Sequence, residues 1–84
     1  MMKIDVRYFA SLREQLGAAE AIELSEGVSV GQLRDLLIAR SDTHAAALAR
    51  NRNVRCAVNK LLSKEDALIS DGAEVAFFPP VTGG

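Results

Sequence analysis

Two alternating apolar runs stand near opposite ends of the chain, and they restrict the fold more than any other feature. In KIDVRYF, Ile4, Val6 and Tyr8 alternate with Lys3, Asp5, Arg7 and Phe9; in EVAFF, Val75 and Phe77 alternate with Glu74, Ala76 and Phe78. A period of two predicts a strand with one covered face. The chain has 84 residues, enough for one modest core, and no linker, repeat or low-complexity run divides it. Pro79 and Pro80 follow the second run at once. They cannot continue a hydrogen-bonded ladder, so the sheet must end there.

The stretch between the two runs supplies the cover. Ser11 and Glu14 stand at capping-box spacing and Gly17 suits a helix stop, which predicts a short helix through SLREQLG. Ile22 and Leu24 mark a second short strand, closed by turn residues Ser25 to Gly27. Ser29 and Gln32 form another capping-box pair, and Val30, Leu33, Leu36 and Leu37 share one face of the main helix, which should run to about Arg40. Asp42 or Thr43 can cap a further short helix through HAAALAR, ending near Asn51. VRCAVN is a third strand, with Val54, Cys56 and Val58 on one face and Arg55, Ala57 and Asn59 on the other. LLSKED reads as a polar turn, ALI as a short apolar piece, and Asp71-Gly72 as a turn.

Strands at both ends around one amphipathic helix predict an α+β fold, a mixed sheet covered on one face by the main helix plus short helices. The ubiquitin-like β-grasp has this layout. In that fold the first and last strands are parallel neighbours at the centre of the sheet, a placement taken from the fold and not from periodicity.

Charge and side-chain inventory exclude several functions. Ten basic and 11 acidic residues leave a net charge of -1, which offers no electrostatic footprint for nucleic acid or an anionic membrane. Lys3, Asp5 and Arg7 interrupt the N-terminal apolar run, so it is no signal-peptide core. No stretch approaches the roughly 20 apolar residues of a membrane span, and a cytoplasmic location is expected. Cys56, the single cysteine, groups by parity with Val54 and Val58 and reads as a structural residue; with one histidine it makes no metal cluster. His44 reads as a solvated helix residue, Arg34 and Asp35 as a wet helix face, and Lys60 and Lys64 as solvated surface. The segment around Gly27 and Gly31 lacks the ending of a phosphate loop.

What remains is the tail. Residues 1–78 read as the globular domain and 79–84 as an extended tail, stiffened at its base by Pro79-Pro80 and reaching roughly 20 Å. Without side chains, Gly83 and Gly84 can pass a narrow channel and admit close backbone approach. The Gly84 carboxylate becomes an electrophile only after activation; an ATP-dependent partner could make an acyl-adenylate, which sulfur or an amine would then attack.

FASLREQLG, AVN at Ala57 to Asn59, and DGAEVAFFPPVTGG together resemble the small, sulfur-carrying subunit of molybdopterin synthase, over essentially the whole chain. The resemblance implies a chain that is not itself an enzyme. An E1-like adenylating partner, using ATP and magnesium, activates Gly84, and a sulfurtransferase system leaves a thiocarboxylate there. The charged chain then docks on the synthase large subunit, Gly83 passes its tunnel, and the sulfur attacks cyclic pyranopterin monophosphate. Two such transfers, from two charged tails, build the molybdopterin dithiolene. No cofactor or metal would be bound by this chain.

Docking needs a surface. Phe9 and Phe78 fall on the outer face of the first and last strands, and if those strands are parallel neighbours the two rings meet beside the tail. The resemblance adds Leu62 to this partner-binding patch, with Leu61 left open because a turn after Asn59 breaks the parity. The competing expectations are a β-grasp sulfur carrier for thiamine or tRNA thiolation, and a ubiquitin-like modifier or interaction module.

Overall fold

The two terminal runs do meet. In the computed structural model, which describes residues 1–80, β1 (Met2–Tyr8) and β5 (Glu74–Phe78) pair in parallel, with Val6 opposite Val75 and Tyr8 opposite Phe77. Around them lie α1 (Ala10–Leu16), β2 (Ala19–Leu24), α2 (Val30–Ile38), α3 (Asp42–Leu48), β3 (Arg55–Val58) and β4 (Leu61–Ser63). The sheet order is β2-β1-β5-β3-β4. Every contact but β1 with β5 is antiparallel. This is the mixed β-grasp sheet expected, with β1 and β5 near its centre.

Alternation places the core on one face. Ile4, Val6 and Tyr8 of β1, Ile22 and Leu24 of β2, and Val75 and Phe77 of β5 are buried together with Val30, Leu33 and Leu37 of α2 and Leu48 of α3. The Tyr8 and Phe77 rings stack at 6.4 Å. Burying a side chain of that size stabilises the fold by roughly 1.5–3 kcal/mol. Cys56 belongs to this cluster, and its thiol donates to the Ser63 carbonyl at 3.2 Å. Burial pushes the thiol pKa up, which disfavours the nucleophilic thiolate.

Helix starts differ from the expected caps in two places. The α2 capping box forms as expected: the Ser29 hydroxyl accepts from the Gln32 N–H and the Gln32 side chain accepts from the Ser29 N–H. At α1, however, Ser11 lies inside the helix and Phe9 is the N-cap, without a side-chain cap bond. The Phe9 N–H is bound to the Phe77 carbonyl at 3.2 Å, so β1 holds the chain extended up to Phe9 and the helix begins immediately after it. At α3 the cap is Ser41, not Asp42 or Thr43, and the helix stops at Leu48.

LLSKED is not simply a turn. Leu61–Ser63 forms β4, joined to β3 by Asn59 and Lys60, both in the left-handed region with φ 50° and 69°. Positive φ at both central residues gives a hairpin the twist its strands need. Asn59 is fixed further by β5: its N–H donates to the Glu74 carbonyl at 2.8 Å and its Oδ1 accepts from the Glu74 N–H at 3.0 Å. The ALI piece makes only an isolated bridge, Leu68 with Ser29, beside the start of α2.

Two polar residues expected in solvent are drawn inward. Arg34 is only 4% exposed; it donates to the carbonyls of Leu48, Ala49 and Arg52 and to Glu65. A long side chain reaching beneath α3 defeats the helical-wheel reading of a wet face, because its charge is spent on the carbonyls at a helix end. His44 is also largely covered, with Nε2 2.8 Å from Glu20 and Nδ1 2.6 Å from the Ser41 hydroxyl. The Tyr8 hydroxyl donates to the same Glu20 carboxylate at 2.6 Å.

Candidate functional site

The register assigns side chains to the face opposite the core. Directly opposed residues share a face, so Arg7, Ala76, Ala57 and Leu62 form one row across β1, β5, β3 and β4, and Phe78 with Arg55 forms the next. Lys3, Arg7, Ala19, Ala21 and Glu23 are exposed on this side, whereas the buried apolar residues of all three helices belong to the core cluster on the other. Small Ala57 and Ala76 make the floor between Leu62 and Phe78.

Phe9 is 48% exposed and Phe78 is half-buried. The Phe9 N–H bond to Phe77 puts these two aromatic residues at successive ends of neighbouring central strands. Leu61 and Leu62 are each 72% exposed, so exposure does not separate them. Register does: Leu62 opposes Ala57 on the open face, whereas Leu61 opposes Val58, whose side belongs to the core. The parity lost at the turn is thus restored by the hairpin. Phe9, Phe78 and Leu62 occupy the same side of the sheet, and large exposed apolar residues grouped in this way favour an interface.

The tail leaves from this region. β5 ends at Phe78 and Pro79 follows, lining a cleft of about 250 Å³ with Ser11, Gln15, Arg52 and Asn53. Gly83 and Gly84, the expected passage and carrier residues, lie outside the described residues. Arg52 and Arg55 were not among the expected site residues. The alternation of VRCAVN already puts Arg55 on the outer face with Ala57, and that signal alone could have found it.

Several ionic groups elsewhere are paired. On the open face Arg7 pairs with Asp5 at 2.8 Å and stands 3.8 Å from Glu74. Burial alone would raise the Glu20 pKa, but hydrogen bonds from Tyr8 and His44, with the charges of His44 and Arg40, outweigh it and hold the carboxyl below its ordinary value. Burial and Glu20 together raise the Tyr8 hydroxyl. Glu65 is likewise held low: burial opposes the shift, and bonds from Arg50 and Arg34 prevail. Among the described residues no group of three or more His, Cys, Asp or Glu could hold a metal ion, and no helix is long and apolar enough to cross a membrane.

Sheet order, the parallel central pair β1 and β5, and helices packed on one face define a domain of the ubiquitin-like β-grasp class. A solved structure of the small archaeal modifier protein 1 of Haloferax volcanii superposes with a TM-score of 0.77 at 22% identity, covering 96% of this chain and 100% of that one; at that identity the likeness speaks for the fold alone. The ThiS family profile matches residues 6–84, and the chain belongs to that family, among its molybdopterin synthase sulfur carrier subunits. The subunit of that name from Escherichia coli is 42% identical over 81 residues, 96% of this chain and 99% of the relative. Its namesake from Mycobacterium tuberculosis is 34% identical over 86 residues and covers both chains fully.

Proposed function

We propose that this chain delivers sulfur on the carboxyl of Gly84 for the synthesis of molybdopterin. The observation that carries the reading is the full-length similarity to sulfur carrier subunits, in a domain whose central strand β5 runs straight into the Pro79-Pro80 base of a glycine-ended tail. A Gly84 carboxylate oxygen attacks the α-phosphorus of ATP on an E1-like adenylating enzyme, with magnesium held there, and pyrophosphate leaves. A sulfurtransferase system supplies sulfur, AMP departs, and a thiocarboxylate remains. On the synthase large subunit that sulfur attacks cyclic pyranopterin monophosphate, and water releases the carrier as its carboxylate. Two carriers serve two transfers, which suits a heterotetramer of two small and two large subunits working in the cytoplasm.

This chain's own contribution is positional. The β1–β5–β3 ladder fixes Pro79, the Phe9, Phe78 and Leu62 face holds the partner, and Gly83 gives the backbone room in a tunnel. Acid-base chemistry and nucleotide binding belong to the partners. The test is intact-mass analysis of the protein incubated with ATP, adenylating enzyme and sulfur donor. A species with sulfur in place of one terminal oxygen, able to form dithiolene product with the large subunit, is expected. Absence of that species, or its appearance only as an isopeptide conjugate on lysines, would refute the proposal.

A further inference from the structure

We infer that Arg52 and Arg55 form a cationic collar at the base of the tail, and that the docking protein meets it with carboxylates. The inference rests on the docking reading above and adds to it the charge of the partner.

Both arginines flank the point where the chain leaves the sheet. Arg55 is directly cross-strand from Phe78 on the open face, and Arg52 shares the Pro79 cleft with Ser11, Gln15 and Asn53. Both residues are exposed. Four of the five other arginines meet acids, Arg7 with Asp5 and Glu74, Arg34 with Glu65, Arg40 with Glu20, and Arg50 with Asp35 and Glu65, while Arg13 on the exposed side of α1 has no such partner among the described residues. Among the described residues, neither Arg52 nor Arg55 has an acidic partner in this set.

The position of these charges matters more than their number. The net charge of -1 gives no long-range attraction for an acidic partner, so a preference for one must come from a local group. Planar guanidinium groups beside an apolar patch suit bidentate pairing with carboxylates at the rim of an interface. Such rim pairs chiefly set orientation, encounter rate and salt dependence, while the buried apolar residues supply affinity. Orientation is what a carrier with a narrow tail needs. Carboxylates facing Arg52 and Arg55 would fix the rotation of the domain about its apolar contact and so aim Pro79 at the partner's opening.

The test is binding of the whole chain to purified synthase large subunit by calorimetry, at about 50 and about 500 mM salt. The variants are Arg52→Glu with Arg55→Glu, Phe78→Ala, and Lys3→Glu as a charge reversal at the exposed start of β1, the end of that strand away from Phe9; thermal melting checks each fold. The double arginine reversal should raise Kd roughly tenfold or more at low salt and far less at high salt, while Lys3→Glu binds like the unaltered chain. If the arginine reversal binds normally while Phe78→Ala weakens binding, the collar is refuted and the docking reading stands. If Lys3→Glu weakens binding as much as the arginine reversal, overall charge is responsible and the collar is again refuted. If neither the arginine reversal nor Phe78→Ala weakens binding, both readings fall.

Discussion

The Arg34 guanidinium lies 2.7 Å from the Glu65 carboxylate, joining the middle of α2 to a loop 31 residues further along the chain. The same guanidinium closes the end of α3 through the Leu48 and Ala49 carbonyls, each 2.8 Å away. Arg50 approaches Glu65 from the other side and also reaches Asp35 and the Gly31 carbonyl. One carboxylate thereby connects α2, the segment after α3 and the segment after β4.

Removing the centre of this network should be costly. Arg34→Met keeps the stem volume but strands three carbonyls and leaves Glu65 to Arg50 alone, and a loss of about 2–4 kcal/mol is expected in urea unfolding. Arg34→Lys should recover only part, because an ammonium cannot fork to donors spread over Leu48, Ala49 and Glu65. Full stability in Arg34→Met would show that the network carries no weight.

Glu20 predicts an acid limb of stability. Its carboxyl is held below the ordinary value of 4.5 in the folded protein, so the folded state favours the ionised form. That contribution is fully present above the unfolded pKa and is lost as pH falls through the lowered folded pKa. Unfolding free energy measured between about pH 6 and pH 3 should therefore decline on the acid side. Glu20→Gln should begin less stable and show a shallower decline; an unchanged slope would remove Glu20 from the account.

Lys60 occupies the left-handed region at φ 69°, where a side chain is strained. Lys60→Gly is expected to stabilise the domain by up to about 1 kcal/mol, net of the added freedom of the unfolded chain. Lys60→Val, which places a β-branched residue at the same φ, should lose at least about 1 kcal/mol. Thermal melts of both variants decide whether the turn is under strain.

Leu61 and Leu62 offer a comparison with matched exposure. Leu62→Asp should weaken binding to the large subunit by roughly tenfold, while Leu61→Asp should change it little. Both variants should stay within about 0.5 kcal/mol of the original stability. A reversed order in a calorimetric titration would overturn the register argument.

At the glycine pair, deletion of Gly83 and Gly84 should abolish thiocarboxylate formation and leave the melting temperature unchanged. Gly83→Val should still accept sulfur less efficiently or deliver it poorly, because a β-branched side chain widens the arm. Single-turnover transfer, followed by mass, separates loading from delivery.

Much of this was legible in the sequence because apolar alternation is local. Ile4, Val6 and Tyr8, or Val75 and Phe77, announce a covered strand face wherever they stand. The outer-face positions of Phe9 and Phe78 follow from the same parity. What escaped was set by partners distant in the chain. Asn59 and Lys60 form a hairpin turn without the usual glycine, with Asn59 held by Glu74, so β4 read as loop. Arg34 and His44 looked solvated on their own helices, and only the approach of α3, Glu65 and Glu20 makes them interior. Ser41 outcompeted Asp42 as a cap by a single residue, a margin that local pattern does not resolve.

β5 has a ladder on each side, parallel to β1 and antiparallel to β3, and the tail continues from its end. A partner that grips the tail therefore pulls along the strand axis. Such a load shears two ladders at once and does not unzip one bond at a time from an edge. Under the proposed function, a domain built this way would enter and leave a tight channel with its sheet intact. Placing the cargo arm on a central strand gives it mechanical strength that an arm on β2 or β4 would lack.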